Sequence, residues 1–153
     1  MKHIHFTVPG PCQPKGRPKA SAIRFGKFTK INMRTPEKTV TYEAKVYQRL
    51  VEKMELTGCQ PMDGPLRAII TVYRALPKSL SKKRAEKAIC GEIMPTSKPD
   101  LDNQVKSILD AIGGTICGND SSFCVIVAKK RYDDGAGERV DINISEIETE
   151  VSQ

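Results

Sequence analysis

Ile4, Phe6 and Val8 alternate with polar neighbours at the start of the chain, and this two-residue period predicts a short strand over 3–8. Pro9-Gly10-Pro11 breaks it. From 11 to 35 no period persists. That stretch is rich in Pro, Lys and Arg and reads as loop, with at most a short strand around 24–29. Thr35-Pro36-Glu37 supplies an N-cap, a first-turn proline and a first-turn acid. The helix it opens should run to about Leu56, bury Val40, Ala44, Tyr47, Leu50, Val51 and Met54, and stop at Gly58 and Pro61. Ile69, Ile70, Val72 and Tyr73 mark a strand over 66–75. Ser81 caps a short helix through Cys90, closed by Gly91. Val105, Ile108, Leu109 and Ile112 recur at helical spacing. They predict a helix from about Leu101 to Ile112, with Asp102 as N-cap and Gly113-Gly114 as its end. The stretch 123–130 is β-prone, Asp133-Asp134-Gly135 is a turn, and Val140, Ile142 and Ile144 alternate through a half-exposed strand over 139–147. Repeats and low-complexity segments are absent. The expectation is a single α+β domain over 1–153, with a mixed or antiparallel sheet and about three helices.

Composition narrows the class. At 153 residues the chain can bury one core. No apolar run approaches the ~20 residues needed to span a bilayer, and the first ten residues lack the apolar core of a signal peptide. The five cysteines, Cys12, Cys59, Cys90, Cys117 and Cys124, form no C-x-x-C pair. They read as reduced thiols in a cytoplasmic protein rather than as a zinc or redox motif. The net charge of +7 is unevenly placed. Residues 1–53 hold 12 basic and 3 acidic side chains, whereas 54–153 hold 13 basic and 15 acidic. A basic front with the acids behind suits a polyanion held by one part and processed by another; a merely solubilising surface is the plainer reading.

The acids have a pattern. Asp100 and Asp102 lie one residue apart where the Pro99 segment turns into a helix, and Asp120 follows in the next loop. Lys106 lies one turn along from Asp102, on the same face. Carboxylates without nearby His or Cys favour Mg2+, or Mn2+, over Zn2+, and such cations serve phosphodiester hydrolysis. The plainer alternative is that Asp102 only caps its helix and Asp100 is a solvated loop acid. Lys106 would hold the scissile phosphate or orient a water, or else simply pair with Asp102 or Asp110. Asp110 reads as a supporting acid or ion-pair partner. In the basic loop region 11–35, Lys15, Arg17, Lys19, Arg24, Lys27 and Lys30 suit phosphate contacts that carry no base readout. Lys82, Lys83 and Arg84 form a weaker cationic run. His3 and His5 share a strand face but find no third ligand, and the thiols show no catalytic partner.

Lys98-Pro99-Asp100-Leu101-Asp102-Asn103-Gln104-Val105-Lys106, followed by Leu109-Asp110-Ala111-Ile112-Gly113, resembles the signature of the RusA family of Holliday-junction resolvases. Pro14-Lys15-Gly16-Arg17-Pro18 and Thr35-Pro36 with Thr39, Tyr42 and Glu43 are similar to patterns of its phage-type branch, so the likeness spans roughly 11–144. The resemblance implies a homodimeric, Mg2+-dependent endonuclease that nicks four-way DNA junctions in symmetrical pairs during recombination and repair. It would be bacterial or phage-encoded and need no small-molecule cofactor. It assigns metal binding to Asp100, Asp102 and Asp120, within a metal-site region 96–130, and catalysis to these three with Lys106. Lys15, Arg17, Lys19, Arg24, Lys27, Lys82, Lys83 and Arg84 would line the DNA path. One departure stands out. Where the family commonly has two acids before a short S-Q-[IV] run, this chain has Asn119-Asp120-Ser121-Ser122-Phe123, and the role passes to Asp120 alone. Two alternatives stay open: a nuclease for flaps or forks, and a non-catalytic DNA-binding module.

Overall fold

In the computed structural model, residues 1–149 are described; residues 150–153 of the expected domain lie outside them. The fold is a single α+β domain. β1 (His3–Pro9), β6 (Arg139–Glu146), β4 (Leu66–Arg74) and β5 (Phe123–Tyr132) form one sheet in that spatial order. β1 and β4 both pair antiparallel with β6, and β5 runs parallel to β4, so the sheet is mixed. α1 (Glu37–Thr57) and α3 (Leu101–Ile116) cover one face, and the short α2 (Lys82–Ile89) packs against β5.

Strand alternation explains the core. Ile4, Phe6 and Val8, then Val140, Ile142 and Ile144, and Leu66, Ala68 and Ile70 turn inward at every second position. They meet Val46 and Leu50 of α1 and Ile108, Ile112 and Ile116 of α3, all fully buried. The cysteines are all free thiols.

Four local expectations are corrected. The segment 11–35 is not a loop with a strand across 24–29. It contains a hairpin, β2 (Lys19–Phe25) and β3 (Phe28–Arg34), whose turn falls inside that range. The hairpin buries neither face, so burial imposes no period on its sequence. The buried stripe of α1 is also rotated. Thr39, Tyr42, Val46 and Leu50 point inward, while Val40 and Tyr47 are 51% and 48% exposed. A polar residue leads this stripe because Thr39 accepts a hydrogen bond from the Gly16 amide (3.0 Å). Pro36, not Thr35, occupies the N-cap position. Finally, α3 runs through Gly113-Gly114 to Ile116. Helical glycine costs about 1 kcal/mol against alanine, but here it is offset by burial of Ile116 and close packing at Gly113.

A strap over residues 10–18 ties these parts together. The Lys15 amide donates to the Asn103 carbonyl (2.9 Å), and the buried Gln104 side chain donates to the Cys12 carbonyl (3.3 Å). At Gly16 a Cβ would come within 2.7 Å of the Pro36 ring, so only glycine permits this approach to α1.

Candidate active site

Helix α3 sets the acids by its own geometry. Gln104, Val105 and Ile108 turn into the core, which leaves Asp102, Lys106 and Asp110 exposed at intervals of four. Asp100 occupies the N-cap and Asp102 the first turn, one step from the expectation that Asp102 caps the helix. Neither needs a cap bond to be favourable there, because the helix dipole stabilises negative charge at this end. Asp100 in fact makes no side-chain cap bond. The preceding segment is held from the sheet. Arg74 donates to the Ser97 hydroxyl (2.9 Å) and carbonyl (3.2 Å), and Lys130 donates to the Ser97 (3.0 Å) and Pro99 (3.2 Å) carbonyls. Sequence reading missed both cations as positioning residues. Their only signal is that charges replace the apolar runs towards the ends of β4 and β5.

Asp120 reaches the site from the far end of α3. It opens a 3₁₀ turn over Asp120–Ser122, whose Asn119 side chain accepts from the Ser121 amide (3.1 Å). Asn119 thus shapes the turn. Gly113 allows the approach: a Cβ there would lie 2.9 Å from the Asp120 Cβ and 3.1 Å from its Cα.

Asp102, Lys106, Asp110 and Asp120 line one groove of about 560 Å³ between α3 and β5, floored by Leu109, Phe123, Ile126 and Ala128. Asp100 stands beside the groove and is not part of its lining. Among the described residues, Asp100, Asp102, Lys106 and Asp120 make no salt bridge, so the expected alternative of Lys106 pairing with Asp102 or Asp110 is not what the structure contains. Asp110 instead pairs with Lys15.

Residues 9–145 match the family model described as Endodeoxyribonuclease RusA. The chain belongs to the RusA endodeoxyribonuclease family. It is also 38% identical, over 149 residues, to the uncharacterized protein YqaN of Bacillus subtilis (strain 168), covering 96% of this chain and 99% of that one. In this RusA-family protein no three of His, Cys, Asp and Glu among the described residues already stand close enough to hold a metal. The donor set itself fits a hard divalent cation: oxygen ligands only, exposed, and not spent on ion pairs.

The basic residues divide. Arg17, Lys19, Arg24 and Lys27 are exposed, as are Lys82, Lys83 and Arg84 on α2. Lys15, expected on the DNA path, has its ammonium committed to Glu43 (2.5 Å) and Asp110 (2.9 Å). Burial lowers the Lys15 pKa, but hydrogen bonds and charge from Glu43 and Asp110 outweigh this and raise it above the usual 10.5. Its stabilising contribution is therefore full below 10.5 and is lost only as pH rises through the higher folded-state value. Lys15→Met should leave two carboxylates facing each other and lower stability by about 2 kcal/mol, near 5 °C in Tm. Thermal melts across pH should show a gap that is flat at neutrality and closes only in strong alkali. A gap that closes at neutral pH would exclude this ion triad.

Proposed function

We propose that this RusA-family chain is a Mg2+-dependent endonuclease that cuts four-way DNA junctions by paired nicks, acting as a homodimer on cytoplasmic DNA in recombination and repair. The observation that carries the reading is the groove, where Asp102, Asp120 and Lys106, unpaired among the described residues, share one wall. Asp102 and Asp120, with Asp100 at the edge, would hold the cation. When bound, that cation neutralises phosphate charge and makes water a better nucleophile. Lys106, which makes no salt bridge among the described residues, presents its ammonium to the same groove, where it can hold the scissile phosphate and offset the charge that builds in the transition state. Among the described residues no helix is long and apolar enough to cross a membrane.

A homodimer is supported by β5. It is one of the sheet's two edge strands, and on the face away from α3 it carries Val125 and Val127, beside Ile69 of β4, at 37%, 51% and 40% exposure. Exposed apolar edge strands invite pairing. Two sites related by a two-fold axis would match a nearly two-fold junction.

The test is cleavage of a synthetic four-way junction beside matched duplex and flap substrates, in Mg2+ and in EDTA. Paired symmetrical nicks on the junction alone, lost in EDTA, are the expected result. Flap or duplex cleavage instead would keep the chemistry and change the substrate. No cleavage of any DNA by the folded protein would reject the enzyme reading.

A further inference from the structure

The β2–β3 hairpin stands apart from the rest of the molecule. Every residue of β2 is exposed, as is all of β3 except the half-buried Asn32. An isolated two-stranded hairpin is marginal in water, so this one is incomplete without a partner. Cross-strand partners share a face. The register Lys19↔Arg34, Ser21↔Asn32, Ile23↔Lys30 and Phe25↔Phe28 therefore builds one face with cations along it and an aromatic pair at the end. Phe25 and Phe28 are 63% and 81% exposed. Gly26 lies between them at φ 59°, as the first central position of a type II′ turn requires, and a Cβ there would meet nothing within 4 Å. The tip projects into open space.

Charge selects the partner. Residues 19–34 carry Lys19, Arg24, Lys27, Lys30 and Arg34 and no acid. A polyanion suits them, and a row of cations leading to aromatic rings is the arrangement that grips nucleic acid through both phosphates and unstacked bases. Intact duplex hides the faces of its bases inside the stack; a branch point interrupts that stack, so bases there can be laid open at lower cost. The root of the hairpin is fastened to the acid-bearing helix through the strap's Lys15–Asn103 hydrogen bond. DNA held here would lie a few residues along the chain from that bond to the groove's own helix.

We propose that Phe25 and Phe28 stack on unpaired bases at the branch point of DNA while Lys19, Lys30 and Arg34 follow its phosphates. The hairpin then reads the branch, not the base sequence. This rests on the DNA-cutting reading above, and the test separates the two.

Full-length protein would be titrated, without divalent metal, against a junction carrying 2-aminopurine at the branch point and against linear duplex of the same sequence. Wild type should bind the junction more tightly and change 2-aminopurine emission. The Phe25→Ala/Phe28→Ala pair should lose about tenfold or more of junction affinity, together with the emission change. It should keep duplex affinity and Tm, and Phe25→Tyr/Phe28→Tyr should restore the signal. Junction binding like wild type by the alanine pair would overturn the proposal and leave the nuclease reading intact. So would equal losses on junction and duplex, or a changed association state in sedimentation, which would make the hairpin a protein contact. Wild type that neither binds nor cuts any DNA would overturn both.

Discussion

Asp102→Asn is expected to slow cleavage of branched DNA by about a thousandfold or more, because charge stabilisation at such a site is worth several kcal/mol. Binding should behave in the opposite sense. Asp102 and Asp120 face one groove, and Asp102 makes no ion pair among the described residues. Without a cation these carboxylates repel each other and the DNA phosphates. Removing one charge relaxes that repulsion, so junction affinity in metal-free buffer should be unchanged or tighter. Gel shifts in EDTA, run beside cleavage in Mg2+, measure both. Markedly weaker binding by the variant would show that Asp102 positions DNA directly and would refute a ligand role.

The second large effect comes from a residue with no side chain. Gly113→Ala should reduce cleavage by about a hundredfold, since misplacing a catalytic group by about 1 Å costs that much. The new Cβ would meet Asp120 at its Cβ, Cα and amide nitrogen, at 2.9, 3.1 and 3.3 Å, and backbone atoms cannot swing aside as a flexible side chain can. The fold should survive, because alanine itself favours α3 by about 1 kcal/mol. Gly114→Ala is the control. It sits in the same helix with nothing within 4 Å of its would-be Cβ, so it should raise Tm slightly and leave cleavage alone. Equal activity in the two variants would separate Asp120 from the chemistry.

Gly113 also shows where the sequence could be read and where it could not. Inward alternation in β1 and β6 exposes those strands directly, because one face is buried and the other is not. Residue type and spacing single out Asp100, Asp102, Lys106 and Asp120 as candidates, but only the fold sets Asp102, Lys106 and Asp120 in one groove and leaves Asp100 beside it. That depends on Ile126 and Ala128 facing α3 across an incompletely covered edge strand. Gly113-Gly114 reads locally as a stop, and only the tertiary approach of Asp120 explains why the helix continues. The stripe of α1 was misplaced because an apolar count favours Val40 and Tyr47, whereas a hydrogen bond to the strap recruits Thr39. Lys15 looked like one more exposed cation until the fold brought Glu43 and Asp110 to it from two helices. Arg74 and Lys130 act through carbonyls of a distant loop, a relation that no local pattern records.

The strap has a consequence for local unfolding. Its bonds join Cys12 to Gln104, Lys15 to Asn103 and Gly16 to Thr39, so one short segment closes against both covering helices. Opening it would release the root of the hairpin and the first turn of α3 in a single event, as one cooperative unit. The Lys15 and Gly16 amides should then exchange with solvent deuterium at matching free energies, and a substitution that loosens the strap should speed exchange at the start of α3 as well. DNA grip and the acid-bearing turn would be gained and lost together.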